Sequence, residues 1–273
     1  MLIDTHAHVN FLQYKNDGDE VVKRSLVEGT WMINVGSEKD TSRRAVEYAN
    51  RYDAGVFAAI GLHPGSLIAQ EFEEKIDEKE IVKIKTEAQE FNYDYYNNLA
   101  QDPKVVAIGE IGLDYYRNVA KPELQKEVLL EQLNLAEKVD KPVLLHCREA
   151  HEDLLKILKN WTLVGNKPLR GVIHSFSGRW SQAEQYLAMG FHLGFNGIIT
   201  FARDYDRVVK EMPLERLVLE TDCPYLTPVP FRGKRNEPSY VKYVAEKVAE
   251  LRGISAEEVA EITTKNAREL FSI

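Results

Sequence analysis

The stretch Ile3-Asp4-Thr5-His6-Ala7-His8 follows an apolar start and sets the interpretation of the whole chain. Residues two apart on a β-strand share a face, so a strand here directs His6 and His8 the same way. Two neighbouring imidazoles are a ready site for a divalent metal ion, because neutral ring nitrogens are good ligands. The alternative is that one or both are ordinary surface histidines. Further ligand residues at the ends of later strands favour the metal site.

Length and composition limit the classes of protein to consider. The chain has 273 residues, of which 44% are hydrophobic and 29% charged, as is typical of a soluble globular protein. A net charge of −8 argues against a protein that coats DNA or an anionic membrane through bulk charge. It is compatible with a phosphate-handling site in which bound cations supply the positive field. Cys147 and Cys223 are too few for a disulfide framework. With no apolar run of membrane-spanning length and no secretory signal, we expect a monomeric cytoplasmic enzyme.

Short apolar runs rich in β-branched residues alternate with helical patterns along the whole chain. Apolar spacing predicts helices over 19–28, 41–52 and 122–139 and two more at the end, where Ser255 and Glu258 form a capping box. The predicted strands are 2–6, 31–35, 56–60, 105–108, 142–145, 172–173, 191–195 and 217–219. This alternation predicts an α/β fold with a parallel sheet, and a (β/α)8 TIM barrel needs about 250 residues. We therefore expect one TIM-barrel domain over 1–273, with an outer ring of helices.

One connection is enlarged, between the third and fourth strands at 65–104. Such connections usually have about 2–6 residues plus a helix. This one carries a run of Glu, Asp and Lys, followed by Phe91, Tyr93, Tyr95 and Tyr96. Two interpretations stay open. The segment forms one or two solvated helices that pack the aromatics on the barrel wall, or it forms a lid whose tyrosines stack on bases.

The strand ends carry the residues that predict chemistry, because TIM-barrel active sites lie at the C-terminal ends of the strands. Six residues at such ends are good ligands for zinc, manganese or similar ions: His6, His8, Glu110, His146, His174 and Asp222. A catalytic zinc typically takes about three protein ligands plus water, so six suit two ions that share a carboxylate. Glu110 is the natural bridge, since it has two oxygens and lies between the two histidine groups.

The ordered motifs around these residues resemble the TatD family of metal-dependent hydrolases, which are amidohydrolase-like TIM barrels. The matching segments are His6-Ala7-His8, Gly61 to Pro64, Gly109 to Tyr115, His146-Cys147-Arg148, His174 to Gly178, Glu220 to Leu226, Arg235 to Pro238 and Asn266 to Phe271. The resemblance runs from residue 1 to the end of the chain, although the connection after the third strand is longer than the family's usual one.

The resemblance implies a deoxyribonuclease that uses two divalent ions (Mg, Mn or Zn), with 3′→5′ exonucleases among its relatives. It implies one ion held by His6, His8, Glu110 and Asp222, and a second held by Glu110, His146 and His174. We expect metal-activated water to attack a phosphodiester, since two ions can bind a hydroxide and a phosphoryl oxygen together. Asp222 and Glu110 are then catalytic as well as metal-binding, with Asp222 accepting the proton of the nucleophile.

Further residues are assigned to substrate binding and support. His63 is expected to contact a phosphate oxygen or the leaving group, or else to support a ligand. Arg148 is expected to bind a phosphate in bidentate fashion, or to pair with a nearby carboxylate. Glu220 shares a face with Asp222 and is expected to orient a ligand histidine. The basic residues after the last strand contact a nucleic-acid backbone or form a solvated loop; they are Arg232, Lys234 and Arg235. We expect structural or exposed roles for His151 and His192, and packing roles for both cysteines.

Three functions remain open at this point. The leading one is a deoxyribonuclease, with single-stranded DNA or frayed ends as substrate and no membrane or obligate protein partner. The same binuclear site could instead hydrolyse a small-molecule ester, amide or phosphoester, because fold and metals do not fix the substrate. The third is a non-catalytic barrel that binds protein through its acidic and aromatic insert.

Overall fold

The computed structural model describes residues 1–75, 81–116 and 120–273. Its strands are β1 (Leu2–Ala7), β2 (Thr30–Val35), β3 (Val56–Ile60), β4 (Gln70–Lys75), β5 (Ile81–Thr86), β6 (Val105–Asp114), β7 (Val143–Arg148), β8 (Gly171–Ile173), β9 (His192–Phe195) and β10 (Leu217–Leu219). Eight of them form one parallel sheet in the order β1-β2-β3-β6-β7-β8-β9-β10. All eight predicted barrel strands are thus confirmed.

The first and last strands of this sheet meet and close the barrel. Ala7 pairs in parallel with Cys223, just beyond β10. The Asp222 N–H donates to the His6 carbonyl at 2.9 Å, and the His8 N–H donates to the Cys223 carbonyl at 2.9 Å. The predicted TIM barrel is therefore confirmed, and the junction between its two ends runs directly through the segment that carries three predicted ligands.

The barrel interior is apolar, as expected for strands covered on both faces. Every residue of β6 is buried. Seven strands contribute to one cluster that includes Ile3, Ile33, Ala59, Ala107, Leu144, Val172 and Val218. Leu270 and Phe271, from the last helix, belong to the same cluster and cover one end of the barrel. This end of the barrel is thus filled by apolar side chains, and the polar strand ends lie at the opposite end, the mouth of the barrel.

Helices surround the sheet: α1 (Gly18–Val27), α2 (Lys39–Ala49), α3 (Tyr93–Leu99), α4 (Pro122–Val139), α5 (His151–Leu163), α6 (Trp180–Ala188), α7 (Asp206–Glu211), α8 (Val241–Arg252) and α9 (Ala256–Phe271). The predicted helix over 122–139 coincides with α4, and the two earlier ones differ from α1 and α2 only at their ends. At the start of α9, the Ser255 hydroxyl accepts from the Glu258 N–H at 3.1 Å, which satisfies an otherwise unpaired helix donor. Within the described residues, no helix is long and apolar enough to cross a membrane.

The charged half of the enlarged connection is an antiparallel hairpin, so the prediction of solvated helices there was wrong. Glu71 pairs with Lys85, and Glu73 pairs with Lys83. Opposite charges that face each other across two strands stabilise the pairing, which explains the alternation of charge in this stretch. Residues 76–80, which include the rest of the charged run, lie outside the described part of the chain.

The aromatic half packs on the barrel wall. Tyr96 of α3 is buried and donates its hydroxyl proton to the Gly61 carbonyl at 3.3 Å. Phe91 stacks on the Tyr96 ring with centroids 5.0 Å apart, and the Tyr95 hydroxyl donates to the Lys39 carbonyl at 3.1 Å. These aromatics hold the connection against the barrel. They do not line the cleft at the barrel mouth, where a lid that stacks on nucleobases would place them.

Candidate metal centre

Five strands deliver the six predicted ligands to one point at the mouth of the barrel. β1 carries His6 and leads into His8, while β6 and β7 carry Glu110 and His146; His174 and Asp222 follow β8 and β10. The His6 Nε2 lies 3.1 Å from the His8 Nε2 and 3.6 Å from a Glu110 oxygen. An Asp222 oxygen lies 3.4 Å from the His8 Nε2.

The ligand atoms form three overlapping groups, each with its atoms within 4.8 Å of one another. The groups are His6, His8 and Asp222; His6, Glu110 and His174; and His63, Glu110 and His146. Glu110 is shared by two groups, as expected for a bridging carboxylate. The structure differs from the implied sets in two respects, since it groups His174 with His6 and adds His63 beside His146.

Hydrogen bonds from the far side of two rings fix which nitrogen faces the centre. The His8 Nδ1 lies 2.9 Å from the Val35 carbonyl, which can only accept, so this nitrogen carries the proton. The His174 Nδ1 lies 3.0 Å from a Glu220 oxygen and donates to it in the same way. In the neutral rings each Nε2 lone pair therefore faces the centre, the arrangement that metal-binding histidines require. Because the pKa of His174 is raised, a metal ion would displace a second proton from its Nε2. The donor set fits a pair of divalent ions.

The electrostatics of the centre keep its carboxylates ionised. Burial raises the pKa of Glu110, but the charges and hydrogen bonds of the surrounding histidines outweigh it and hold that pKa well below its usual range. The pKa of Asp222 is likewise lowered, because His174, His8 and His6 together outweigh burial. Burial opposes the charged form of His174, but Glu220 and Asp222 raise its pKa to about 10. The site thus concentrates negative charge that a cation would neutralise.

Asp114 is a site residue that no sequence prediction assigned. The two His146 ring nitrogens contact carboxylates on opposite sides, with Nδ1 2.8 Å from Glu110 and Nε2 3.1 Å from Asp114. Gln125 fixes the backbone of Asp114 through hydrogen bonds to its N–H and its carbonyl, each 2.8 Å long. Glu110 and Asp114 are four residues apart on one strand and share a face. The alternation of side chains along a strand could therefore have predicted that Asp114 lies on the same side as Glu110.

Asp4 is a second residue that sequence reasoning missed. It is fully buried, and one carboxyl oxygen accepts from the Thr221 N–H at 2.8 Å and from the His6 N–H at 3.2 Å. The other oxygen lies 2.5 Å from the Thr221 hydroxyl. Burial raises the pKa of Asp4 well above its usual range. Asp4 ties the backbone of one ligand, His6, to the residue that precedes Asp222.

The three residues predicted to bind substrate occupy different surroundings. The His63 Nδ1 accepts from the Gly65 N–H at 3.0 Å, and its Nε2 lies 3.6 Å from Glu110. Arg148 is exposed at the mouth, where its guanidinium lies 3.8 Å above the Tyr116 ring. Arg235 instead forms a bidentate ion pair with Asp17, at 2.9 and 2.5 Å. This ion pair engages the Arg235 guanidinium, and substrate binding by Arg235 stays a prediction.

The other residues singled out from the sequence lie outside the centre. The Arg232 guanidinium lies 3.8 Å above the Phe201 ring, and the Lys234 ammonium lies 5.6 Å from the centre of the Phe231 ring. Cys147 and Cys223 are buried free thiols. His151 and His192 are buried, and the His151 Nδ1 lies 3.0 Å from the Tyr186 hydroxyl.

The centre opens into a cleft of about 780 Å³. Five of the six predicted ligands line it, all except the more deeply buried His6, together with His63 and Asp114. Gln70, Ile84 and Thr86 of the β4–β5 hairpin line the cleft, as do Arg148 and Tyr116. The hairpin base therefore forms part of the cleft wall, although the aromatic half of the connection does not.

Comparison with known proteins finds relatives along the whole chain. The family model described as TatD related DNase matches residues 3–272. An uncharacterized metal-dependent hydrolase of Bacillus subtilis (strain 168), YabD, is 44% identical over 276 residues that cover 100% of both chains. A protein of Erwinia tasmaniensis described as a 3′-5′ ssDNA/RNA exonuclease, TatD, is 35% identical over 280 residues, again over 100% of both. The crystal structure of YJJV, a TatD homolog from Escherichia coli K12, superposes with a TM-score of 0.83 at 32% identity, covering 100% of this chain and 98% of that one.

Proposed function

We propose that this chain hydrolyses phosphodiester bonds in single-stranded DNA. The premise is that the chain belongs to the family of TatD-related DNases and is a metal-dependent hydrolase. The observation that carries the proposal is the convergence of six candidate metal ligands at the mouth of the barrel, where five of them line an open cleft. The Erwinia relative described as a 3′-5′ ssDNA/RNA exonuclease supports attack from the 3′ end. In this proposal the strand enters the cleft unpaired. The frayed ends of duplexes are therefore substrates as well.

The donor set fits two ions. His6, His8 and Asp222 lie together and would hold one ion. His146 and His174, which both lie near Glu110, would hold the other, and Glu110 would be available to both. When bound, divalent ions of this kind acidify a water and polarise a phosphoryl oxygen. His146 would keep the Asp114 carboxylate at its Nε2 and present its Nδ1, which lies beside Glu110, to the ion.

The protein's own groups then handle protons and orientation. Asp222 stays ionised at neutral pH, because the neighbouring histidines lower its pKa, and it accepts the proton released when water attacks. His63 acts as a donor. Its Nδ1 accepts from Gly65, so in the neutral ring the proton sits on Nε2, where it can bind a phosphate oxygen or the departing oxygen. Burial lowers the pKa of His63 to about 4, which keeps the ring neutral.

Arg148 and Glu220 complete the assignment. The Arg148 guanidinium is exposed at the cleft and stacks on Tyr116, so it is free to bind a backbone phosphate. The neighbouring Asp153 pairs instead with Lys126 at 2.5 Å. Glu220 orients His174 through the Nδ1 hydrogen bond.

Digestion of end-labelled single- and double-stranded DNA tests the proposal, with added magnesium, manganese or zinc and with the products resolved by length. We expect a ladder that shortens from the 3′ end on single strands, and loss of activity in Glu110→Ala with the fold intact. Glu211→Ala, which removes a carboxylate on the exposed surface of α7, is the matched control and should behave as the native protein. Turnover of small esters without any turnover of DNA would favour the alternative, a small-molecule hydrolase, to which the net charge of −8 is better suited.

A further inference from the structure

Arg44 of α2 is a cation that lines the cleft and that the proposed mechanism does not use. Its Nε is buried without a hydrogen-bond partner, and among the described residues no carboxylate lies within ion-pairing distance of it. The preceding residue shows the usual arrangement, since the Arg43 guanidinium pairs with Glu47 at 2.5 Å and with Asp40 at 3.7 Å. A buried donor without a partner is uncommon in a native protein and calls for an explanation.

The part of the cleft lining near α2 in sequence, after β3 and on the hairpin is mostly polar and neutral. It comprises Ser37, Glu38, Thr41, His63, Gly65, Ser66, Gln70, Ile84 and Thr86. Several of them are already fixed, since the Ser66 hydroxyl donates to the Ser37 carbonyl at 3.0 Å and the Gln70 amide donates to the Gly65 carbonyl at 2.5 Å. A cleft that is lined by neutral polar residues and by a guanidinium without an ion pair suits an oxyanion, which the guanidinium can bind in bidentate fashion.

Glu38 is the one carboxylate of this wall, and it competes for Arg44. The two side chains interact through their charges, but they form no ion pair at contact distance. Burial raises the pKa of Glu38, Asp40 adds to the rise, and Arg44 opposes it. The Arg44 guanidinium is therefore attracted by the charge of Glu38 but is not paired with it, so it can bind an incoming anion.

We propose that Arg44 forms a phosphate subsite that binds a backbone phosphate next to the scissile one. This inference rests on the proposed function, because it requires a strand that carries successive phosphates. The same cleft is lined by Arg44, by residues of the hairpin, by five of the six candidate ligands and by Arg148. A strand whose scissile phosphate lies over the ligands extends its neighbouring phosphates along that cleft. Arg44 then distinguishes a polynucleotide from a compact ester, which has only one phosphate.

The test compares two substrates in R44A, with R43A as the matched control. Both variants remove one positive charge from adjacent positions of α2, but only Arg44 lines the cleft. The substrates are dT12 and bis(p-nitrophenyl) phosphate, which has a single phosphodiester. We expect the ratio of kcat/KM for dT12 to that for the small ester to fall about tenfold in R44A and to stay at the native value in R43A. The slope of log affinity against log salt for dT12 should lessen by about 0.7 in R44A, as expected for one lost contact to a single strand. An unchanged ratio in R44A, or an equal fall in both variants, overturns the subsite.

Binding of fluorescein-labelled dT12, followed by anisotropy, separates this inference from the nuclease proposal. If the native protein binds dT12 without cleaving it, the proposed function fails, and weaker binding by R44A than by R43A still supports the subsite. If the native protein does not bind dT12, the subsite is overturned as well. Should R44A lose its native circular dichroism spectrum, Glu38→Gln decides, because removing the competing carboxylate should tighten binding at least twofold. Unchanged or weaker binding by that variant overturns the subsite.

Discussion

Glu220→Gln is the most informative single substitution, because both oxygens of this buried carboxylate accept hydrogen bonds from fixed donors. One oxygen accepts from the His174 Nδ1 at 3.0 Å, and the other accepts from the Ser175 N–H at 2.7 Å. A glutamine offers only one oxygen, so its NH2 group must face one of the two donors. If it faces His174, the ring is driven to the other tautomer, and its Nε2 then carries the proton instead of the lone pair that a metal requires.

The expected loss of metal affinity follows from the number of hydrogen-bond donors that the substitution leaves without an acceptor. One buried unsatisfied donor costs about 1–3 kcal/mol, and loss of such a supporting hydrogen bond typically lowers metal affinity about 10–100-fold. We expect a loss of this size for Mn²⁺ in chelator-stripped Glu220→Gln, measured by isothermal titration calorimetry. Glu137→Gln is the control, since Glu137 also accepts from a backbone N–H, that of Lys167 at 2.7 Å, but does so on the exposed surface. Native Mn²⁺ affinity in Glu220→Gln would refute the tautomer reasoning.

Three further outcomes are expected. Gly194→Ala should weaken Mn²⁺ binding as Glu220→Gln does, because a Cβ at this position would lie 2.3 Å from a Glu220 oxygen and displace it; native affinity in calorimetry would contradict that contact. Removing metal with a chelator should lower the melting temperature, since an ion at 100 times its Kd stabilises the folded state by about 2.7 kcal/mol; an equal melting temperature before and after chelation would count against a native-state site. Burial lowers the pKa of both His151 and His192 from 6.5 to about 4, so between these pH values the unfolded chain binds protons that the folded chain does not. Stability should therefore fall on acidification from pH 6.5 towards pH 4, by roughly 1.4 kcal/mol per unit for each histidine, and urea denaturation at pH 7 and pH 5 with equal midpoints would refute it.

The barrel could be predicted from sequence because its signals are local. Buried parallel strands appear as short apolar runs, and α4 carries apolar residues at helical spacing together with a proline at its first turn. The hairpin was missed for a physical reason. Charges dominate this stretch, with Glu71 and Glu73 opposite Lys85 and Lys83, and a high density of charge is also typical of a solvated helix. The signal for a strand was limited to the short alternation of Lys83 and Lys85 with apolar residues such as Ile84.

The convergence of the six candidate ligands could also be predicted, because one rule places every strand end at the same mouth. The rule does not give the pairing of side chains across that mouth. It does not show that His63 lies beside Glu110, that Asp114 contacts His146, or that Arg235 pairs with Asp17. The contacts that decide these roles join distant parts of the chain, such as the ion pair of Arg235 with Asp17, and no local pattern encodes them.

The junction between β1 and the segment after β10 has a consequence for the order of assembly. Its Ala7–Cys223 pairing lies between the ligands His6 and His8 on one side and Asp222 on the other. An ion held by these three residues, as proposed, would connect the first and last strands of the sheet. The complete set of three would form only after the last strand has docked on the first, so the metal would stabilise the closed barrel late in folding. Amide hydrogen exchange at His8 and Asp222 should slow markedly on metal loading, while exchange at the opposite wall, around β6 and β7, should change little.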